Sequence, residues 1–115
     1  MTDHLTKSGD IPGKHVLGQE GAKLGAAREI FVDLAAGTLE FVVVEVTSLL
    51  GGSGKFHPVP WRAISYNAGI DVFQIDIAKD DFKASPSYDR EQLANASYGW
   101  DEQSVRYFQQ PSQTA

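Results

Sequence analysis

The segment "AREIFVDLAAGTLEFVVVEV", Ala27 to Val46, constrains the fold most. Ile30, Val32 and Leu34 alternate with Glu29, Phe31 and Asp33, the period of a strand with one face buried. Ala35-Ala36-Gly37 follows, and Gly37 supplies the positive φ that a tight hairpin turn needs. The return run is apolar on both sides. Leu39, Phe41 and Val43 share one face, and Val42, Val44 and Val46 share the other. A strand of that kind must be central, or have its outer face covered by another element or a second subunit. The second face, Val42, Val44 and Val46, is the candidate interface, and it predicts a homodimer unless the C-terminal segment covers it.

Further short apolar runs recur at near-regular spacing. They lie around His15–Leu17, before Gly25, at "KFHPVPW" (Lys55–Trp61), at "RAISYN" (Arg62–Asn67) and at "IDVFQIDI" (Ile70–Ile77). Turns are marked by Gln19-Glu20-Gly21, Gly51–Gly54 and Asn67-Ala68-Gly69. Phe73, Ile75 and Ile77 share a face. Six short strands with glycine turns predict a mainly β fold, a small antiparallel barrel or sandwich. Pro58 and Pro60 lack backbone donors, so they belong at an edge or a corner. The reading adopted is a structural corner, Pro58, Pro60 and Trp61, with Trp61 turned inward to fill the barrel end. Residues 1–12 read as a flexible lead-in, 13–90 as the barrel domain, and 91–115 as a C-terminal extension with a short helix and a frayed tail. In the extension Val105 and Phe108 sit on one side of the helix, and Asp101 or Asn95 caps nearby. Asp80, Asp81 and Phe82 form a single helical turn before Pro86, anchored by Phe82.

Composition excludes several classes. Cysteine is absent, which removes disulfides and thiolate chemistry and fits a reducing compartment. No apolar run approaches a membrane span and the N-terminus carries no secretory h-region, so the expectation is a cytoplasmic protein. Net charge is −5. Charges balance between Lys14 and Arg62, while acids outnumber bases toward the C-terminus. Phosphate binding rests on clustered Lys and Arg, so general affinity for nucleic acid is not expected.

The chemical motifs are weak. His57 could serve as a base, but no Ser sits in a nucleophile elbow and no Cys exists. His15 and His57 lack the close spacing of metal ligands, and His4 lies in the lead-in. Glu40 and Glu45 differ by an odd number and face opposite sides of one strand. Glu29 and Asp33 share a solvated face. "GGSGK" is followed by Phe56 and two prolines rather than by a helix, so it is not a phosphate loop. Phe41, Trp61, Tyr66 and Phe73 read as core rather than as a base-stacking platform, because no basic residues surround them. Catalytic residues, cofactors and metals are therefore all assigned as none.

The motifs "GKHV" at Gly13–Val16, "EGAKLG" at Glu20–Gly25, "VDLAAG" at Val32–Gly37, "HPVPW" at His57–Trp61 and "SPSY" at Ser85–Tyr88 together resemble the PRC-barrel family. The resemblance covers roughly residues 10 to 90. It implies a six-stranded, mostly antiparallel β-barrel. It also implies a bacterial, non-enzymatic adaptor that binds another protein or itself. An accessory role in ribosome or RNA maturation is the alternative, and a small-ligand-binding or hydrolytic barrel is the second. Trp100, Tyr107 and Phe108 then cover either an open end of the barrel or a partner, and are candidate interface residues.

Overall fold

A computed structural model describes residues 5–46, 55–94 and 99–109. The turn at residues 51–54, His4, Asn95 and the tail at 110–115 lie outside the described residues. Strands β1 (His15–Leu17), β2 (Lys23–Asp33), β3 (Thr38–Val46), β4 (Lys55–Pro60), β5 (Ile64–Asn67) and β6 (Val72–Ile75) form one sheet. Its spatial order is β4-β3-β2-β1-β6-β5. Three short helices follow: α1 (Lys79–Lys83), α2 (Arg90–Ala94) and α3 (Trp100–Gln109).

The sheet is mixed, which corrects the antiparallel expectation. Four of its five pairings are antiparallel, but β1 and β6 run parallel. The cause is the 3-10 turn Trp61–Ala63. It joins β4 to β5 without reversing the chain, so the β5–β6 hairpin returns beside β1 in the same sense.

The β2–β3 hairpin forms as its sequence dictates. Gly37 has φ of +71°, and its N–H donates to the Asp33 carbonyl at 2.7 Å. The Asp33 carboxylate accepts the N–H groups of Ala35 and Ala36 at 2.9 and 3.0 Å. Register shifts at Ala27/Glu29 and Phe31/Val32 bend β2, as bulges do. The second shift breaks the alternation. Ile30 stays packed on the core, but Val32 and Leu34 are 46% and 91% exposed, not buried with it. Gly25 is required by close approach, because a Cβ there would lie 2.4 Å from the Glu45 carbonyl oxygen.

β3 is apolar on both faces because two cores flank it. Val42 and Val44 enter the main core with Val16, Leu24, Ala27, Val59, Ile64, Phe73, Ile75 and Phe82. Phe41 and Val43 enter a second core with Phe56, Leu93 and Trp100. This corrects the interface assignment. Val42 and Val44 are fully buried inside the barrel, and Val46 packs against the same core. The outer face belongs to Phe41 and Val43, and the C-terminal helices cover it. The observation that motivated a homodimer is thus satisfied within one chain.

An aspartate at Val44 would carry an unpaired charge into the main core, a cost that typically exceeds several kcal/mol. Val44→Asp is expected to abolish folding, read as loss of near-UV circular dichroism and of dispersed amide resonances. A folded monomeric variant would return Val44 to the surface.

Candidate binding groove at the barrel end

β4 is an edge strand, and its prolines suit that place. Phe56 exchanges backbone hydrogen bonds with Tyr88 at 3.1 and 2.9 Å, on the side away from β3. Pro58 and Pro60 share the parity of Phe56. Their missing N–H groups therefore fall on the outer side, where no ladder bond is lost. The prolines lie inside the strand, and the corner proper is the Trp61–Ala63 turn.

His57, on the same strand, is 3% exposed and built into a buried network. Its Nδ1 lies 2.9 Å from Ser85 Oγ. The Ser85 hydroxyl donates to the Phe82 carbonyl at 2.6 Å, so the hydroxyl oxygen accepts from Nδ1–H. The His57 ring packs on Phe82 with centroids 4.8 Å apart. A Ser–His pair at this distance resembles a nucleophile and its base, but the proton runs the wrong way. In such a pair the serine donates to the imidazole. The sequence places His57 in the framework, and the structure adds the network with Ser85 that the sequence spacing hid. "SPSY" was the available signal.

His15 is exposed on β1, with β2 and β3 between it and β4. No group of three or more metal-ligating side chains occurs among the described residues. Glu45 pairs with Arg28 at 2.5 Å, while Glu40 accepts from Thr38 Oγ1 at 2.5 Å. The two carboxylates face apart as their spacing requires.

Trp61 is the main correction at this site. It is 40% exposed, and does not fill the barrel interior. The 3-10 turn swings its Cα past the end of β4, and the indole meets Phe73 only edge-on, with centroids 6.2 Å apart. It forms one wall of a groove of about 450 Å³ at the open end of the barrel. Leu5, Ile11, Leu39, Tyr66 and Phe73 line it too, with Thr6 and Lys14 as its polar members. At the mouth, Lys14 Nζ and Tyr66 Oη both donate to Asp71 Oδ1, at 2.7 and 2.5 Å. These bonds raise the pKa of Lys14 and of Tyr66 and lower that of Asp71. Asp71 itself sits at φ of +56°. Of the four aromatics grouped by sequence, Phe73 and Phe41 are core, Tyr66 is half-buried and Trp61 is exposed.

Of the C-terminal aromatics Trp100 is buried as internal cover, while Tyr107 and Phe108 are half-buried. Trp100 is 6% exposed, lies 4.9 Å from Phe31 and 5.1 Å from Phe41, and donates its indole N–H to the Leu93 carbonyl at 3.1 Å. Tyr107 Oη donates to the Asp81 carbonyl at 2.6 Å. Phe108 packs toward Phe82, which is 1% exposed and anchors α1 as expected. Val105 packs on the second core and Phe108 on the main one. Asp101 lies in the first turn of α3, not at its cap.

A model of the PRC-barrel domain matches residues 7–82. The chain belongs to the PRC-barrel family. The half-barrel of six strands is the family fold that the motifs implied, and its open end is the groove described above. A structural likeness is found to RimM of Pseudomonas aeruginosa, a 16S ribosomal RNA processing protein. It has 16% identity and a TM-score of 0.42, covering 70% of this PRC-barrel chain. The chain spans 49% of that protein's length. No curated protein matches the chain. No helix among the described residues is long and apolar enough to cross a membrane.

Burial holds His57 neutral, and the charge of Lys55 adds to that effect; together they lower its pKa from 6.5 to about 4. In the unfolded chain the imidazole takes a proton as pH falls through 6.5, and in the folded chain it resists until near 4. The contribution to stability is whole above pH 6.5 and is lost between 6.5 and 4. It amounts to about 1–3 kcal/mol. In a titration followed by NMR, the His57 ring is expected to stay neutral above pH 5. A midpoint near 6.5 would contradict the buried network.

Proposed function

We propose that this PRC-barrel chain is a non-enzymatic adaptor that holds another protein through the open end of its barrel. One observation carries the reading: a half-exposed Trp61 forming the wall of an apolar groove of about 450 Å³. Tryptophan at the edge of an apolar pocket is the residue type that most often anchors a protein interface. The groove accepts an aromatic or branched aliphatic side chain, and the Lys14–Asp71–Tyr66 cluster offers polar contacts at its mouth. The Ser85 hydroxyl is engaged by the Phe82 carbonyl, which argues against Ser85 as a nucleophile paired with His57. With β3 covered on both faces by its own chain, self-association is not needed to bury it.

The test uses a photo-crosslinking residue at Leu5, which lines the groove, and at Glu20, on the turn at the far end of β1. A protein adduct is expected from position 5 and not from position 20. Trp61→Ala should remove the adduct. The same variant should melt within a few degrees of wild type, well short of the about 3–5 kcal/mol that truncating a buried Trp costs. An adduct that survives Trp61→Ala, or none at position 5, would overturn the reading. Adducts made with ribosomal proteins would place the adaptor in ribosome maturation.

A further inference from the structure

A second groove lies on another side of the molecule, between the β2–β3 hairpin and the start of α3. Its floor is apolar: Phe31, Val32, Phe41 and Trp100. It measures about 200 Å³ and continues, through Glu40, Phe41 and Asp101, into a wider depression of about 490 Å³ along α3. The rim is formed by Asp33, Glu40, Asp101 and Glu102, with Arg106 as its single cation.

Each carboxylate has a local reason for its place. Asp33 closes the hairpin turn and Glu40 accepts from Thr38. Asp101 and Glu102 sit in the first turn of α3, where backbone N–H groups favour acids. Those reasons do not account for their convergence around one apolar floor. None of the four is in an ion pair among the described residues, where the pairs are Lys14–Asp71 and Arg28–Glu45. Val32 of that floor is 46% exposed, and Leu34, two residues further along the hairpin, is 91% exposed. Large apolar side chains in water, next to an apolar floor, mark a contact surface.

We propose that this groove docks a basic, amphipathic segment of a different protein, with Lys or Arg on the carboxylate rim and an aliphatic side chain on the Phe31–Val32–Phe41 floor. Charge complementarity selects that occupant. An isologous contact with a second copy would set the acidic rim against itself. No Lys/Arg cluster occurs in this chain to fill the groove of a neighbour. Nucleic acid and anionic lipid are repelled by the same rim. The surface is separate from the barrel-end groove, so either proposal can fail alone.

The experiment measures binding of a short synthetic peptide alternating Lys and Leu, by fluorescence anisotropy, at about 50 mM and about 300 mM salt. Affinity should fall with salt. It should also fall about tenfold in Glu40→Gln/Asp101→Asn and for a peptide of equal charge with Ala in place of Leu. Asp76→Asn/Asp80→Asn, which removes the same charge elsewhere, and Trp61→Ala should leave it within about twofold. Equal loss in the two charge variants would reduce the effect to net charge and overturn the proposal. So would the absence of binding, or a dimer of this chain that Val32→Asp dissociates.

Discussion

β3 carries large apolar side chains on both faces, and the fold has to keep water from both. One side is met by the barrel itself, through Val16, Phe73, Ile75 and Phe82 around Val42 and Val44. The other is met by residues from beyond the barrel, chiefly Trp100 and Leu93 over Phe41 and Val43. The C-terminal helices are therefore part of the domain's hydrophobic economy, not an appendage. Burying two faces of one strand in a chain of 115 residues also leaves little apolar surface for a third purpose. Few large apolar side chains remain exposed among the described residues: Leu5 and Trp61 at the barrel-end groove, Val32 and Leu34 on the hairpin, and Ile70 in the β5–β6 turn.

The same cover explains how the framework reaches the site. α1 sets Phe82 in the main core and presents its carbonyl to Ser85, which in turn fixes His57 on β4. Tyr107 on α3 donates to the Asp81 carbonyl of that helix. β4 is thus held from one side by β3 and from the other by Tyr88, and it delivers the chain to the Trp61–Ala63 turn in a defined position. Such a turn can hold a half-exposed indole at an open barrel end because Phe56 to Pro60 before it are buried.

Local pattern made the strands and turns legible: the hairpin at Gly37, the Phe82 anchor and the doubly apolar β3, whereas Pro58 and Pro60, read as a corner, lie within the edge strand just before it. Which face of β3 met which core was not legible. Parity relates residues of one strand to each other but not to the barrel axis, and the alternation leaves both assignments equal. The bulge at Phe31/Val32 hid the exposure of Val32 and Leu34 for a related reason, since a register shift leaves no mark in composition. The parallel β1–β6 pair depended on a turn that does not reverse the chain, and Trp61 lay on that turn. Its aromatic character pointed inward by frequency, whereas the local geometry pointed it to the groove. The Ser85–His57 contact joins residues 28 apart in sequence and required the fold to bring them together.

The central claim is that the C-terminal helix completes the domain by covering the outer face of β3. Urea unfolding of Trp100→Ala tests it directly. The account predicts a loss of about 3–5 kcal/mol, with the remaining transition still cooperative, because a buried indole leaves a cavity against Phe31 and Phe41. A variant as stable as wild type to within about 1 kcal/mol would show that Trp100 is not a structural cover, and would contradict the account.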